Sequence, residues 1–530
     1  MKKILLIALI FIFFVYLFFV WMPIPKLVTY FLVDDAFYYF KTASHISLGN
    51  GPTFDGEHMT NGYHPLWMGL LSVIYFFSPD SITLPLHIVL TLSVVLFFLT
   101  SIMLWKIIFS LTGSHMLSGV LTFLYAINPW NVGFFISGLE TPLALFLFVL
   151  CFFCTLKVIE ESDVIKNYFF LGCVSSLLIL SRLDYGIFVA VLFVFLCFVV
   201  KKNLFKKLLF FTLPVVMIAT PWFLYNYFYF GSFLPTSGLS YTLINHRLFF
   251  YKERTIVEII LWSTYNLFGT VASILKTIGI PIYFSAKDLM KTALSGGSVF
   301  ALILLTCLFL YKRKKEKFLF SFHQIFCSHG VKVIIPFFIG FSLLVFIHGA
   351  IRWSGRIWYF ATFQILCVVF LSLVLHSIPA RPYLKKIGFT AVILIALFYF
   401  ASFKTLFPQY SNQREMYEVA IWIKNNLPPN SRIASFNSGI HGYFSNHFVM
   451  NSDGLINNDA YEAMKKNTLW DFFKKEKINY IVDYETVLTY RYKSFFGISE
   501  PIDKVTKVQI LDIFKDGSNY GGTHIGIYKL

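Results

Sequence analysis

Long apolar stretches alternate with short polar segments over the first four hundred residues of the chain. Each stretch comes close to the ~20 residues that a helix needs to cross a bilayer. The pattern predicts a polytopic α-helical membrane protein with about eleven transmembrane helices. The predicted spans are residues 1–22, 85–106, 117–136, 142–158, 167–182, 185–200, 207–229, 296–311, 333–350, 357–376 and 386–403.

The apolar segment 64–77 is an exception, because about 14 residues make a helix only ~20 Å long against a hydrocarbon core of ~30 Å. If this segment lies along the membrane surface, all the short Lys- and Arg-rich connections fall on one side of the membrane. Since such connections are normally cytoplasmic, we expect a cytoplasmic N-terminus. The segments 26–84, 230–295 and 404–530 are then outside the cytoplasm, and we expect the chemistry there.

The chain changes character after residue 403. The remaining residues, 404–530, mix short helical and strand patterns, which predicts a small extracytoplasmic α/β domain behind a transmembrane catalytic domain of residues 1–403. The predicted helices are 412–427, 457–466 and 468–477, and the predicted strands are 432–436 and 479–482.

Composition excludes a water-soluble protein, since only 13% of the residues are charged against about 25% in soluble domains. The net charge is +17, and the segment 404–530 carries only +2 of it, from 15 basic and 13 acidic residues. The excess of basic residues therefore belongs to the membrane part. It indicates membrane orientation and attraction to anionic lipids, and we expect no nucleic-acid partner.

Carboxylates stand where the chain leaves two of the predicted spans. Asp34 and Asp35 follow the first span, and Glu140 precedes the fourth. A single Asp before a helix is usually a capping residue, and an acid before a Pro often starts a helix. Two adjacent carboxylates at a membrane boundary are costly to ionise, however, which favours a catalytic role for this pair.

Charged residues, mostly basic, stand at the outer ends of other predicted spans. Arg182 and Asp184 lie at the tip between the fifth and sixth spans, and Arg352 and Arg356 lie between the ninth and tenth. The first two residues also suit a structural ion pair, and the last two suit an interfacial position among aromatic residues. Together with the acids they suggest proton abstraction from a hydroxyl and binding of a phosphate, which a guanidinium holds with two hydrogen bonds. A lipid phosphate is the substrate that fits this site.

Five motifs follow one another in the order DDAFYY, TNGYHPLW, SGLETPL, SRLD and PWFLYNYFYFGSFLPTS. This series resembles the GT-C superfamily of membrane glycosyltransferases, near the mycobacterial arabinofuranosyltransferases and more distantly the lipid A aminoarabinose transferase and protein O-mannosyltransferases. The stretch RIASFNSGIHGYFSNHFVMNSDGLINNDAYEAM also resembles the outer domain of that branch. The resemblance implies inverting transfer of a sugar from a polyprenyl-phosphate donor to a glycan, lipid or protein acceptor. It places the enzyme in the cytoplasmic (inner) membrane, with its active site on the outer face.

The resemblance also implies roles for individual residues. Asp34 or Asp35 is the expected general base, and Glu140 positions the acceptor or helps to hold Mg²⁺ or Mn²⁺; a divalent cation is left open. The expected substrate-binding residues are Arg182, Asp184, Arg352, Arg356, Asn61, Tyr63 and His64. Two alternatives stay open, a transporter or flippase of lipid-linked sugars and a non-catalytic subunit of an envelope-assembly complex.

Overall fold

A computed structural model describes residues 2–79, 81–250, 253–278, 329–377, 411–510 and 524–530, together with positions 395, 397 and 399. The predicted spans 296–311 and, but for those three positions, 386–403 lie outside the described residues. The described chain is mostly helical, with a sheet confined to its C-terminal part, which confirms the predicted fold class. The helices are α1 (Lys2–Val20), α2 (Ile24–Tyr30), α3 (Asp34–Ser47), α4 (Pro65–Phe76), α5 (Leu84–Thr112), α6 (His115–Ala126), α7 (Pro129–Phe135), α8 (Thr141–Glu160), α9 (Ile165–Ser181), α10 (Gly186–Val199), α11 (Leu204–Phe230), α12 (Thr236–Phe249), α13 (Ile256–Thr277), α14 (His329–Phe346), α15 (Thr362–Ser377), α16 (Ser411–Asn426), α17 (Ser438–Phe444), α18 (Asn458–Lys466) and α19 (Leu469–Lys475).

Several helices are long and apolar enough to cross a membrane. Within the described ranges there are five, and a sixth if α1 and α2, which meet at an angle of 111°, form one broken span. The predicted spans 167–182 and 185–200 are shorter apolar helices. The chain is therefore a multi-pass membrane protein, while the count of eleven spans stays a prediction. The five are Leu84–Thr112, Thr141–Glu160, Leu204–Phe230, Gly330–Ile351 and Ile357–His376.

The predicted span 117–136 is two helices rather than one. Helix α6 ends at Ala126, and α7 starts at Pro129. The side chain of Asn128 accepts a hydrogen bond from the backbone N–H of Trp130, and Pro129 takes the first helical position. Both features are typical of a new helix start, which explains why the chain breaks here.

The segments that the sequence predicts outside the cytoplasm contain more helix than was expected. The short helix α4 confirms the expectation for residues 64–77, although its position along the membrane surface stays a prediction. Helices α12 and α13 lie in the segment 230–295, for which no element was predicted. Glu258, Asn266 and several hydroxyl residues interrupt the apolar pattern of α13, so this helix gives no clear span signal in the sequence.

The C-terminal part contains one mixed five-stranded sheet with the strand order β2-β1-β3-β5-β4. Strand β1 is parallel to β2 and β3, and β5 is antiparallel to β3 and β4. All three predicted helices and both predicted strands are confirmed, whereas β2, β4, β5 and α17 were missed. The strands are β1 (Arg432–Ser435), β2 (Phe448–Asn451), β3 (Tyr480–Tyr484), β4 (Thr506–Ile510) and β5 (Ile525–Lys529).

The C-terminal domain packs directly on the first outer segment, which is residues 26–84, the first segment that the sequence predicts outside the cytoplasm. The ring of Phe37, on α3, contacts the rings of Tyr443 and Phe444 at centroid distances of 5.4 and 5.3 Å. The hydroxyls of Tyr75, on α4, and Tyr443 are 2.8 Å apart. Since these side chains are buried, the two parts of the chain share one apolar core.

Candidate active site

A cavity of about 710 Å³ lies between the first outer segment, the turn after α9, helix α12 and a loop of the C-terminal domain. Eight of the ten predicted site residues line it. They are Asp35, Tyr63, His64, Glu140, Arg182, Asp184, Arg352 and Arg356. The tertiary structure thus brings together side chains that are more than three hundred residues apart in sequence. The other two predicted site residues, Asp34 and Asn61, do not line this cavity.

The two adjacent aspartates of the first turn of α3 face different surroundings. Asp35 lines the cavity, and burial raises the pKa of its carboxyl while the nearby guanidinium of Arg356 lowers it. Asp34 points to the C-terminal domain, where its Oδ1 accepts a 2.8 Å hydrogen bond from the backbone N–H of Ile440. Burial raises the pKa of Asp34 to about 7. Neither residue is the N-cap of α3, since Val33 holds that position.

Arg182 is bound by two carboxylates. Its Nη1 donates to Oε1 of Glu140 at 2.7 Å, and its Nε and Nη2 donate to Asp184 at 3.2 and 2.8 Å. His348 approaches the same Asp184 with its Nε2 at 3.1 Å. Arg182 is only 1% exposed, and its charge is neutralised within a buried ion-pair network. Arg182 and Asp184 therefore form the ion pair that the sequence suggested as one alternative, while a role in substrate binding stays a prediction.

Arg352 and Arg356 are the two other arginines of the cavity. Arg352 donates from Nη2 to the carbonyl oxygen of Gly238 at 2.7 Å and from Nε to the hydroxyl of Thr242 at 3.0 Å. The guanidinium of Arg356 lies 5.4 Å from the ring centroid of Tyr241. Within the described ranges, neither arginine makes an ion pair within 4.0 Å. In the part of the chain that the structure describes, neither positive charge is therefore in direct contact with a carboxylate.

The residues of the TNGYHPLW motif have two different surroundings. Asn61 contacts other structural elements, whereas Tyr63 and His64 line the cavity. Asn61 is 1% exposed, and its Oδ1 accepts hydrogen bonds from the N–H of Thr236 at 3.1 Å and from Nδ2 of Asn458 at 3.1 Å. Its Nδ2 donates to Oδ1 of Asn226 at 3.3 Å. Asn61 thus ties the first outer segment to α11, α12 and α18. Asn61 joins structural elements. It does not line the cavity, although it was expected to bind substrate.

Tyr63 and His64 of the same motif line the cavity. The backbone N–H of Leu183 donates to Nδ1 of His64 at 3.2 Å. The proton of the neutral ring is then on Nε2, which lies 3.7 Å from Oε1 of Glu140. Burial lowers the pKa of His64, which favours this neutral form.

The C-terminal domain supplies a cavity wall that the sequence did not indicate. Leu455, Ile456 and Tyr461 line the cavity, and Gly454 before them has a φ of +71°. The backbone oxygen of Leu455 packs so closely on Gly62 that a β-carbon at Gly62 would come within 1.9 Å of it. The contact of this loop with residue 62 joins distant parts of the chain, so it depends on the fold rather than on a local pattern.

A divalent cation finds no set of ligands in the described part of the chain. No group of three or more His, Cys, Asp or Glu side chains there is placed to hold a metal ion. Glu140, which the resemblance gave either acceptor positioning or a share in holding a cation, is bound to Arg182. The described side chains therefore do not fit a metal site, and the question of a divalent cation, which the sequence left open, gains no support from them.

The comparisons with known proteins agree with this architecture. Residues 405–527 match a family model described as a domain of unknown function, DUF8728. No curated protein matches the chain. Among solved structures, ArnT from Cupriavidus metallidurans bound to undecaprenyl phosphate aligns with a TM-score of 0.56 at 9% identity, over 99% of this chain and 97% of that one.

Two structures of an archaeal enzyme also match. The oligosaccharyltransferase AglB from Archaeoglobus fulgidus, in complex with an inhibitory peptide and a dolichol-phosphate, aligns with a TM-score of 0.50 at 14% identity, over 93% of this chain and 71% of that one. The Archaeoglobus fulgidus oligosaccharyltransferase in complex with Zn and sulfate aligns with a TM-score of 0.50 at 13% identity, over 92% and 69%. The chain therefore shares its fold with ArnT and with the Archaeoglobus fulgidus oligosaccharyltransferase.

Proposed function

We propose that this protein is an inverting glycosyltransferase that moves a sugar from a polyprenyl-phosphate donor to a hydroxyl of a glycan, lipid or protein acceptor. The observation that carries the proposal is the presence of Asp35, Arg352 and Arg356 in one cavity. A partly buried carboxylate next to guanidinium groups that have no ion-pair partner among the described residues suits a reaction in which a hydroxyl loses a proton and a phosphate departs.

Asp35 is the proposed general base. Its burial raises its pKa, which brings the carboxylate closer to the range in which a base accepts a proton efficiently at neutral pH. Asp35 removes the hydroxyl proton of the acceptor as the acceptor oxygen attacks the anomeric carbon. The bond from that carbon to the phosphate oxygen breaks on the opposite side, so the configuration inverts and no covalent enzyme intermediate forms.

Arg352 and Arg356 are the proposed phosphate ligands. Arg182 is not available for this role, because Glu140 and Asp184 already share its charge. The donor phosphodiester and the ionised Asp35 together carry two negative charges. After transfer the phosphate monoester gains up to one charge, while the protonated Asp35 loses one. Two arginines thus match the charge of the cavity before and after the reaction.

Glu140 and His64 are proposed to position the acceptor beside Asp35. Glu140 is held by Arg182, and His64 is held by the backbone of Leu183. Groups fixed in this way present a constant geometry to the substrate, which lowers the entropy cost of orienting it.

The proposed location is the outer face of the cytoplasmic membrane. The basic connections favour a cytoplasmic N-terminus and an outer position for the first outer segment and the C-terminal domain. Nucleotide sugars are not supplied on that side, so a lipid-linked donor is the consistent choice. Binding of polyprenyl and dolichyl phosphates by the structurally similar ArnT and AglB supports this donor class.

The test is transfer by the purified full-length protein in liposomes, supplied with a set of radiolabelled polyprenyl-phosphate sugars and candidate acceptors. We expect transfer from at least one donor, and a loss of transfer in Asp35→Asn. Asp471→Asn, which changes an exposed carboxylate in the first turn of α19, is the matched control. Unchanged transfer in Asp35→Asn would refute the base assignment.

The two alternatives predict different results in the same liposomes. A flippase moves the labelled lipid between leaflets without forming a new glycoside. A non-catalytic subunit leaves activity intact in its complex when Asp35 is replaced. Absence of transfer from every donor, with movement of the lipid, would favour the transporter.

A further inference from the structure

The start of α17 in the C-terminal domain is capped by a residue of the first outer segment. Its own N-cap residue, Asn437, makes no side-chain capping hydrogen bond. The N–H of Ile440, at the third helical position, instead donates to Oδ1 of Asp34 at 2.8 Å. Asp34 thus supplies the acceptor that an N-cap side chain normally gives, from a position about four hundred residues earlier.

The turn that leads into α17 is held from inside the C-terminal domain. Oδ2 of Asp483 accepts hydrogen bonds from the backbone N–H groups of Phe436 and Asn437 at 2.8 and 3.0 Å. Oδ1 of the same residue accepts a bond from Nδ2 of Asn437 at 2.8 Å. Asp483 is 1% exposed. The first turn of α17 is therefore a fixed surface for Asp34 to contact.

Gly439 allows this contact to be close. A β-carbon at Gly439 would lie 2.2 Å from the backbone oxygen of Asp34 and 2.8 Å from its Oδ1. A distance of 2.2 Å to a backbone atom cannot be relieved by moving a flexible side chain. Any side chain at residue 439 therefore separates α17 from the first turn of α3. The contact of Tyr38 with the carbonyl oxygen of Phe436 at 3.4 Å belongs to the same interface.

We propose that Asp34 is a positioning residue, and that docking of the C-terminal domain through Asp34 and Gly439 orders the first turn of α3 and with it the side chain of Asp35. This inference rests on the proposed function, in which Asp35 is the base. Asp34 and Asp35 share one helical turn, so a shift of the backbone at Asp34 moves the carboxylate of Asp35. Misplacing a catalytic group by 1 Å costs about 10²-fold in rate.

The inference gives the two aspartates separate roles. Asp35 contacts the substrate, whereas Asp34 acts through the backbone that it holds. The amide oxygen of Asn accepts the Ile440 N–H as the carboxylate does, so Asp34→Asn keeps the docking contact and Asp34→Ala removes it. The C-terminal domain then becomes a required part of the active site rather than an appended module.

The activity test compares these variants with the donor that the liposome assay identifies. We expect Asp34→Ala and Gly439→Ala to lower kcat by about 10- to 100-fold, with the donor KM changed less than about twofold, and Asp34→Asn to keep most of the wild-type kcat. Asp471→Ala and Gly69→Ala are the matched controls. A β-carbon at Gly69 meets no atom within 4 Å. Wild-type kcat in Asp34→Ala, or equal damage in Asp34→Asn, overturns the inference.

A second measurement does not depend on activity. Hydrogen exchange of the full-length protein in detergent reports the protection of residues 34–40 and 438–444. We expect Asp34→Ala and Gly439→Ala to raise exchange in both segments, and Asp34→Asn to leave it near wild type. If no donor supports transfer, the proposed function fails and exchange alone decides the docking. Unchanged exchange of residues 34–40 in Asp34→Ala would overturn the inference that docking through Asp34 orders the first turn of α3.

Discussion

Glu140 accepts a hydrogen bond of 2.7 Å from Nη1 of Arg182, and both side chains are buried, with 4% and 1% of their surface exposed. The two residues come from the turn before α8 and the end of α9. Asp184 completes the pairing on the other edge of the same guanidinium. This network forms one wall of the cavity, and we propose that Arg182 serves stability rather than phosphate binding.

We therefore expect Arg182→Ala to destabilise the protein strongly. Its removal leaves the carboxylates of Glu140 and Asp184 without their cation, and breaking a buried ion pair in this way costs about 3–5 kcal/mol. Thermal unfolding in detergent measures the change. Arg254→Ala, which removes an arginine of an exposed pair with Glu258, should change stability by less than about 1 kcal/mol. Equal stability of the two variants would contradict the assignment.

Arg356 should matter for transfer and little for stability. Arg356→Ala removes a donor proposed to stabilise the departing phosphate, which typically lowers kcat by about 10²–10³-fold. Arg356→Lys should recover only part of the rate, because an ammonium cannot present the two parallel donors of a guanidinium. Steady-state kinetics with varied donor separate kcat from KM. Full activity of Arg356→Ala would exclude this residue as a phosphate ligand.

The general base should account for a large part of the rate. Asp35→Asn keeps the size of the side chain and removes its ability to accept a proton, so we expect kcat to fall by about 10²–10⁴-fold. Asp34→Asn should lose much less, because its amide still accepts the Ile440 N–H. Measuring both variants at saturating donor and acceptor compares the chemical step. Greater damage in Asp34→Asn would reverse the assignment of the two aspartates.

The stability of the protein should depend on pH through Asp34. Burial raises its pKa from 3.8 to about 7 in the folded state. The folded protein therefore binds more protons than the unfolded chain between these values, and the contribution of Asp34 to the free energy of unfolding falls as pH rises through this window. Asp34→Asn has no such group. Relative to Asp34→Asn, wild type should lose stability from about pH 4 to pH 7 and then level off.

Thermal unfolding of both proteins over this pH range, in one detergent and one ionic strength, measures the difference. Asp453, whose pKa burial also raises to about 7, is present in both proteins and cancels in the comparison. A constant difference between the two proteins from pH 4 to 8 would contradict a raised pKa at Asp34.

Asn61 and Glu57 contact the C-terminal domain with different consequences. Asn61→Ala leaves the backbone N–H of Thr236 without its acceptor in a buried place, which costs about 1–3 kcal/mol. Glu57 pairs with Arg432 at 2.8 Å, but half of its side chain is exposed, so Glu57→Ala should cost less than about 1 kcal/mol. Chemical or thermal unfolding ranks the two variants. The reverse order would contradict the role given to Asn61.

Local patterns predicted the long apolar helices and two of the five strands. The helices α5, α8, α11 and α15 follow from apolar runs alone, and the strand at Arg432–Ser435 follows from its own residues. Helix α17, in contrast, contains two glycines, and its capping acceptor comes from another part of the chain. Its stability depends on tertiary contact, so no local pattern indicates it.

The charged residues of the cavity were also predictable, but the contacts that each of them makes were not. Carboxylates and arginines at outer span ends are visible in the sequence because such groups are costly near a membrane. The pairing of Arg182 with two carboxylates is not visible, since Glu140 lies 42 residues away and its approach depends on helix packing.

By itself the sequence determined that this is a multi-pass helical membrane protein with a C-terminal α/β part, and that its acids and arginines gather at the ends of spans. These properties follow from composition and periodicity, which act over one helix or strand at a time. Only the tertiary structure decided that Asp35 lines the cavity while Asp34 contacts Ile440. Adjacent residues of a helix point about 100° apart, and the packing of a domain four hundred residues later determines what each one meets.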